Sequence, residues 1–316
     1  ETGFIMVHVD INSHSPNLIK GIKMFETDKK SSLNLILTCM EKINERRKTM
    51  WNASKPSNYN NFRAFIMGIH GNTDIFGSGV KYEGSENTEL RTYRGQSGSQ
   101  DDIIPTIDIF SGLYKYYPDN VLTKYLLDMR TYRPIPVQQF LSDLENNFIN
   151  IENLDLDELI LLYKIIDQVY NFRNGHWMFV QKYIMANTKY NVATGGTPIT
   201  SWIPNQIEAV LHYMKIIYDK INLLFIKKFG SKSSNDSNES NESNDSNNSN
   251  DPFYSVASFD KKKSSEEEKK EQEEKQLKEN FEKFLSINRR NLEYKINVLI
   301  SQINELKKEN YDVNLV

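Results

Sequence analysis

Cysteine is nearly absent from this chain. Cys39 is the only one in 316 residues, so no intrachain disulfide can form and a disulfide-stapled scaffold is excluded. Long apolar runs are missing too. Nothing approaches the roughly 18 consecutive apolar residues of a membrane-spanning helix, and FIMVHVDI at Phe4 to Ile11 is too short to cross. That segment also lacks a basic flank, so it does not read as a signal peptide. Charge of one sign is not in excess: 39 basic and 42 acidic residues leave a net −3. Such a balance carries no electrostatic footprint for nucleic acid or an anionic membrane. An initiating methionine is lacking as well, and an opening of Glu1-Thr2-Gly3 leads us to expect a fragment. The lone thiol fits a reducing compartment, which makes a cytoplasmic location the expectation.

What is present is enough apolar material for a real core, at 38% with 11% aromatic, and its spacing is mostly helical. Ile5 to Ile11 reads as a short strand or helix end. Leu33, Ile36, Leu37, Met40 and Ile43 form a helical stripe behind a Ser32 cap, with Glu41, Lys42, Glu45, Arg46 and Arg47 mostly off it. Ala53 to Asn61 reads as a loop, and Phe62 to His70 as an apolar helix stopped by Gly71-Asn72. Gly84 to Gln100 is a small-residue loop whose end, Asp101 or Asp102, can cap the next helix. Helices over 122–129 and 137–144 flank Pro134 and Pro136. Asp157 is then expected to cap a long helix with the stripe Leu159, Leu162, Ile165, Ile166, Val169 and Phe172. Residues 201–228 read as a closing helix.

The long helix ends in QVYNFRNGHWMFVQKYI, Gln168 to Ile184. At helical spacing His176 shares a face with Val169, Phe172, Arg173, Phe179, Val180 and Tyr183. A histidine there is either a hydrogen-bonded core residue or a ligand. Gly175 beside it costs the helix about 1 kcal/mol relative to alanine, which makes sense if something bulky approaches there. Arg173 on an apolar face needs an anion, and Asp108, among Ile107 and Ile109, is its natural partner. Arg63 is either a surface arginine or a guanidinium fork held in an apolar pocket for a carboxylate. Thr194-Gly195-Gly196-Thr197 offers backbone N–H groups and two hydroxyls to an anion or amine. Ser97-Gly98-Ser99 is either a plain connection or a loop small enough for backbone to approach a flat ligand.

RNGHWMFVQKYI resembles the proximal-histidine helix of the indoleamine 2,3-dioxygenase family of haem proteins. Further segments match in the same order: FRAFIMGIHGN with VKYEG, GQSGSQDDIIPTID, LLDMRTYRPIP and ATGGTP, over roughly Phe4 to Lys228. The resemblance implies an all-α haem-binding domain, haem b with His176 as its iron ligand, and O2 and tryptophan or a related indoleamine as substrates. The implied product is N-formylkynurenine. It also implies that Arg63 pairs with the tryptophan carboxylate and that Thr194 meets its amine. Ser97 and Gly98 would belong to a loop over the haem, with Arg173 and Asp108 beside its propionates. Two positions depart from the family pattern: Asn58 stands where an aromatic residue is usual, and Asp101 where a small hydroxyl residue is common. Family members carry a small helical domain ahead of the matched region, so the alternatives are a non-catalytic haem or gas-binding protein and a helical interaction protein.

Beyond Gly230 the composition changes. Residues 1–230 form the expected haem-binding domain. Residues 231–262, almost all Ser, Asn, Asp and Glu, read as a disordered linker, and residues 263–316 as a charged helix. There Leu285, Leu292, Leu299 and Leu306 repeat at seven, suiting a coiled coil, a docking helix or a protein partner.

Overall fold

The computed structural model describes residues 2–84, 88–95, 101, 103–119, 121–187, 193–194, 198–230, 265–309 and 311. Ser97, Gly98 and the linker stretch 231–262 lie outside the described residues. The chain is all-α, as expected. Its helices are α1 (Thr2–Asn12), α2 (Ser15–Met24), α3 (Lys29–Lys48), α4 (Met50–Ala53), α5 (Pro56–Ile66), α6 (Thr73–Phe76), α7 (Ile103–Phe110), α8 (Val121–Arg130), α9 (Ile135–Asn146), α10 (Leu156–Val180), α11 (Ile199–Phe229) and α12 (Ser265–Lys308). Among the described residues there is no strand, only the isolated bridges Gly68 with Arg94 and Val80 with Arg91. No helix there is long and apolar enough to cross a membrane.

The chain falls into two compact units, Glu1–Tyr218 with Leu292–Val316, and Asp219–Asn291. Within the first, α10 packs most extensively against α3, and α3 against α2. Leu159, Leu162, Ile165, Ile166 and Val169 of α10 are buried, each contributing about 1.5–3 kcal/mol by leaving water. The polar groups in this interface are satisfied: the Asn44 amide donates to the Gln168 backbone carbonyl at 2.9 Å and to its side-chain oxygen at 3.0 Å. The end of α12 docks back within the same unit. Leu292, Leu299, Ile303 and Leu306 are buried, and the Lys295 ammonium pairs with Asp167 and lies 4.4 Å from the Tyr170 ring centre. In the second unit Phe225 and Phe229 meet Phe281, with ring centres 6.4 and 6.2 Å apart.

Several local expectations shift, each for a physical reason. Thr2–Asn12 is a helix, burying Val7 and Ile11 one turn apart. α5 starts at Pro56, six residues ahead of the expected Phe62; Pro-Ser-Asn looks like a loop in composition, yet proline is preset for a first helical turn. α3 is capped by Asp28, whose carboxylate accepts from the Ser31 N–H at 3.0 Å, and not by Ser32, which is buried and donates to the Gly21 carbonyl. α10 is capped by Asp155 instead of Asp157. The Asp155 carboxylate accepts from the Glu158 N–H at 2.8 Å while Glu158 accepts from the Asp155 N–H at 2.9 Å, a reciprocal capping box. Asp157 turns outward to Lys30. Asp101 does cap α7, accepting from the Ile103 N–H at 2.8 Å.

Because α10 carries the candidate site, its cap is worth testing. Asp155→Ala should lower stability by about 1 kcal/mol, read as a lower urea midpoint with an unchanged slope.

Candidate functional site

Most of α10 is sealed. Arg173, Gly175, Trp177 and Val180 are buried, and so is Tyr183 in the π-helical turn Gln181–Met185 that follows. Like that of Met178 two residues on, the His176 side chain is exposed. Protein nevertheless surrounds it closely enough to push its pKa down to about 4, through desolvation first and then the charges of His8 and Arg47. The ring is thus exposed at one edge with protein close on its other sides. At neutral pH it is uncharged and keeps a lone pair, the state in which imidazole ligates a metal.

Aromatic rings wall this region. Trp51 packs against Phe179 in a tilted arrangement with centres 4.2 Å apart, and Tyr183 meets Tyr59 of α5 at 5.7 Å. The Tyr183 hydroxyl donates to the Ser54 carbonyl at 2.6 Å. Phe4 of α1 touches Tyr59 and Phe62, at 5.3 and 5.5 Å, and His8 one turn on at 4.5 Å. The His8 Nδ1 sits 2.9 Å from the Phe4 carbonyl. A carbonyl oxygen only accepts, so Nδ1 is the donor in that contact.

The other motif segments converge at the end of α5. Arg63 is buried there, at 4% exposure, so it is no surface arginine. The Gly95 N–H donates to the Thr194 carbonyl at 3.1 Å. A Cβ on residue 95 would lie 2.3 Å from the Ile66 carbonyl oxygen and 2.5 Å from that of Thr194. Three backbones therefore meet where only glycine fits. Arg94 ties in LLDMRTYRPIP: its Nε donates to Asp128 at 2.8 Å, and its backbone N–H to the Tyr132 hydroxyl at 3.2 Å. Arg133 donates to the Asp101 carbonyl at the start of α7.

Arg173 and Asp108 form the expected pair. Nη2 lies 2.5 Å from Oδ2, with side-chain exposures of 7% and 4%. Tyr117 completes the group, donating to the same carboxylate oxygen at 2.5 Å and accepting from Arg173. Arg173 Nη1 donates to the Gln206 carbonyl at 3.2 Å. Burial pushes the Asp108 carboxyl up, opposed by the Arg173 charge and the Tyr117 hydroxyl. Arg173 is thus engaged on both terminal nitrogens by the protein itself.

Three neighbours were not read from the sequence as site residues. Tyr117 carries no local signal. His8 sits on a short apolar helix that looked like a chain end. Arg47 was placed on the outer face of α3, and the structure corrects this: it is buried, at 8% exposure. The signal was available, since position 47 follows Met40 by seven and Ile43 by four, on the apolar stripe. Its guanidinium fills the notch at Gly175, where an added Cβ would lie 1.9 Å from Nη1 and 2.1 Å from Cζ.

Among the described residues no group of three His, Cys, Asp or Glu could hold a bare metal ion. A metal at His176 must bring most of its own ligands, as a tetrapyrrole does. An open neutral imidazole, an aromatic surround and close-approach glycine backbone suit such a flat group.

These features define an all-helical protein that presents one neutral histidine from a buried helix into an aromatic-walled recess. Comparison makes the class particular: the chain matches the family model described as indoleamine 2,3-dioxygenase over residues 1–278, and it belongs to that family. It is similar to indoleamine 2,3-dioxygenase 1 of Rattus norvegicus, with 24% identity over 233 residues, 64% of this chain and 56% of that protein. The chain thus spans little more than half the length of that relative.

The Arg173–Asp108 pair generates a stability prediction. Asp108→Asn leaves a buried guanidinium without its counter-charge, and should cost about 3–5 kcal/mol in urea unfolding. The double replacement Asp108→Leu with Arg173→Met should recover much of that loss.

Proposed function

We propose that this protein holds haem at His176 and oxidises tryptophan, or a related indoleamine, with O2 to the N-formylkynurenine type of product. The observation that carries the reading is the open, uncharged His176 imidazole on an otherwise buried helix. Family membership supports it. Haem, when bound, supplies the O2 chemistry that inserting two oxygen atoms across the indole C2–C3 bond requires.

The chain's own residues bind and orient. His176 sits on a helix locked by the Asp155 capping box and by α3, so the donor nitrogen is held on rigid structure. Arg63, buried near the aromatic Tyr59 and Phe62, offers a planar fork suited to an amino-acid carboxylate. Thr194, whose carbonyl accepts from the Gly95 N–H, takes the substrate amine in this reading. Ser97 and Gly98, outside the described residues, carry the small-residue role that family membership suggests. Arg173 and Asp108 brace the recess from α10 and α7, with their propionate-side role as the accompanying proposal.

His176→Ala should abolish the Soret band of the haem-reconstituted chain while the helical circular dichroism is kept, because ligation is local. Equal haem occupancy in the variant would sink the assignment. For Arg63, truncation to alanine should weaken tryptophan binding by about 2–5 kcal/mol, as losing one partner of a buried charged pair does, with haem content unchanged. Unaltered tryptophan affinity, read by calorimetry, counts against the carboxylate role.

A further inference from the structure

Arg47 is more than nine-tenths buried, and its described surroundings neutralise it poorly. Its Nε donates to the Asn44 side-chain oxygen at 3.3 Å, its guanidinium carbon lies 5.9 Å from the Phe179 ring centre, and its terminal nitrogens press on Gly175. Among the described residues no carboxylate pairs with it, and burial alone pushes its pKa down. Arg173 has Asp108, Tyr117 and a backbone carbonyl. Arg47 has an amide and a ring.

A buried charge without a counter-ion is costly, commonly by several kcal/mol. Helix α10 keeps a glycine at 175, at about 1 kcal/mol, in the place where this guanidinium must fit. Both costs fall on the residue beside His176, whose own pKa records the Arg47 charge. With Nε held by Asn44 and the guanidinium seated against Gly175, the two terminal nitrogens, which no carboxylate among the described residues meets, form a planar fork that matches two carboxylate oxygens. Phe179 and Trp51 add aromatic faces next to that fork.

We propose that Arg47 is the anchoring cation of a carboxylate subsite beside His176, taking the acid group of a flat aromatic ligand bound in the same recess. The proposal deepens the haem and tryptophan reading, and rests on it for the identity of the recess. The carboxylate has two sources, a porphyrin propionate, which leaves the amino-acid carboxylate to Arg63, or the amino-acid ligand itself, which would displace Arg63 from that role; both present the same chemistry to Arg47.

The test uses the full chain and ligands that need no iron–histidine bond. Metal-free protoporphyrin IX and its dimethyl ester are titrated by fluorescence, and tryptophan and tryptamine by calorimetry, into wild type and Arg47→Met. Loss of about 30-fold or more in affinity for protoporphyrin IX, with the ester unaffected, assigns the subsite to a propionate. The same loss for tryptophan, with tryptamine unaffected, assigns it to the amino acid. Equal losses for an acid and its carboxylate-free counterpart overturn the proposal, as does no change in either pair or no binding by wild type. Arg47→Gln repeats the comparison if the methionine variant fails to keep its circular dichroism. Metal-free porphyrin makes the outcome independent of iron ligation, so a failed His176 assignment and a failed Arg47 subsite read out separately.

Discussion

Everything in this structure depends on the face that α10 shares with α3. That interface has to be apolar enough to hold a long helix rigid, and it supplies Leu159, Leu162, Ile165, Ile166 and Val169 for the purpose. It must also stop short of sealing the imidazole one turn before the helix ends. The switch happens within a few residues: Asn44 and Gln168 close the apolar part with paired amides, then Gly175 and Arg47 replace side-chain packing with a guanidinium in a notch. Past that notch, His176 opens.

Charge is the second organising element. Arg47, Arg63 and Arg173 are all buried, in a chain whose net charge is close to neutral. Arginine suits such places better than lysine, because its delocalised charge is more weakly hydrated and its fork fixes direction as well as attraction. Arg173 spends that directionality on the interior, joining α10 to α7 through Asp108 and to α11 through Gln206. The neutral His176 and Arg47 are complementary, since a nearby cation favours the uncharged imidazole.

How much of this could be read in advance varies with the kind of signal. The α10 stripe and the Arg173–Asp108 pair were legible, because periodicity and the cost of a lone buried charge are both local statements; the exposure of His176 on the apolar face its spacing predicts was not. Helix starts were less so. Proline in Pro56-Ser57-Asn58 reads equally as a loop or a first turn, and Asp155 competes with Asp157 until the return bond from Glu158 decides. Tyr117 and His8 were invisible for another reason: their importance lies wholly in what other segments bring to them. Arg47 stands between these cases, on the stripe by spacing and off it by chemistry, and chemistry was trusted where spacing was right.

The end of the chain belongs with its beginning. Leu292–Val316 clusters with Glu1–Tyr218, and Lys295 reaches back to Asp167 across 128 positions. A ribosome therefore cannot deliver the finished first unit in order; its last side chains arrive after a long detour. Thermodynamics is lenient about such detours, because each doubling of a connecting loop adds only about 0.6 kcal/mol to its closure. Selection can then lengthen, shorten or scramble the Ser/Asn/Asp-rich stretch almost without penalty to the core.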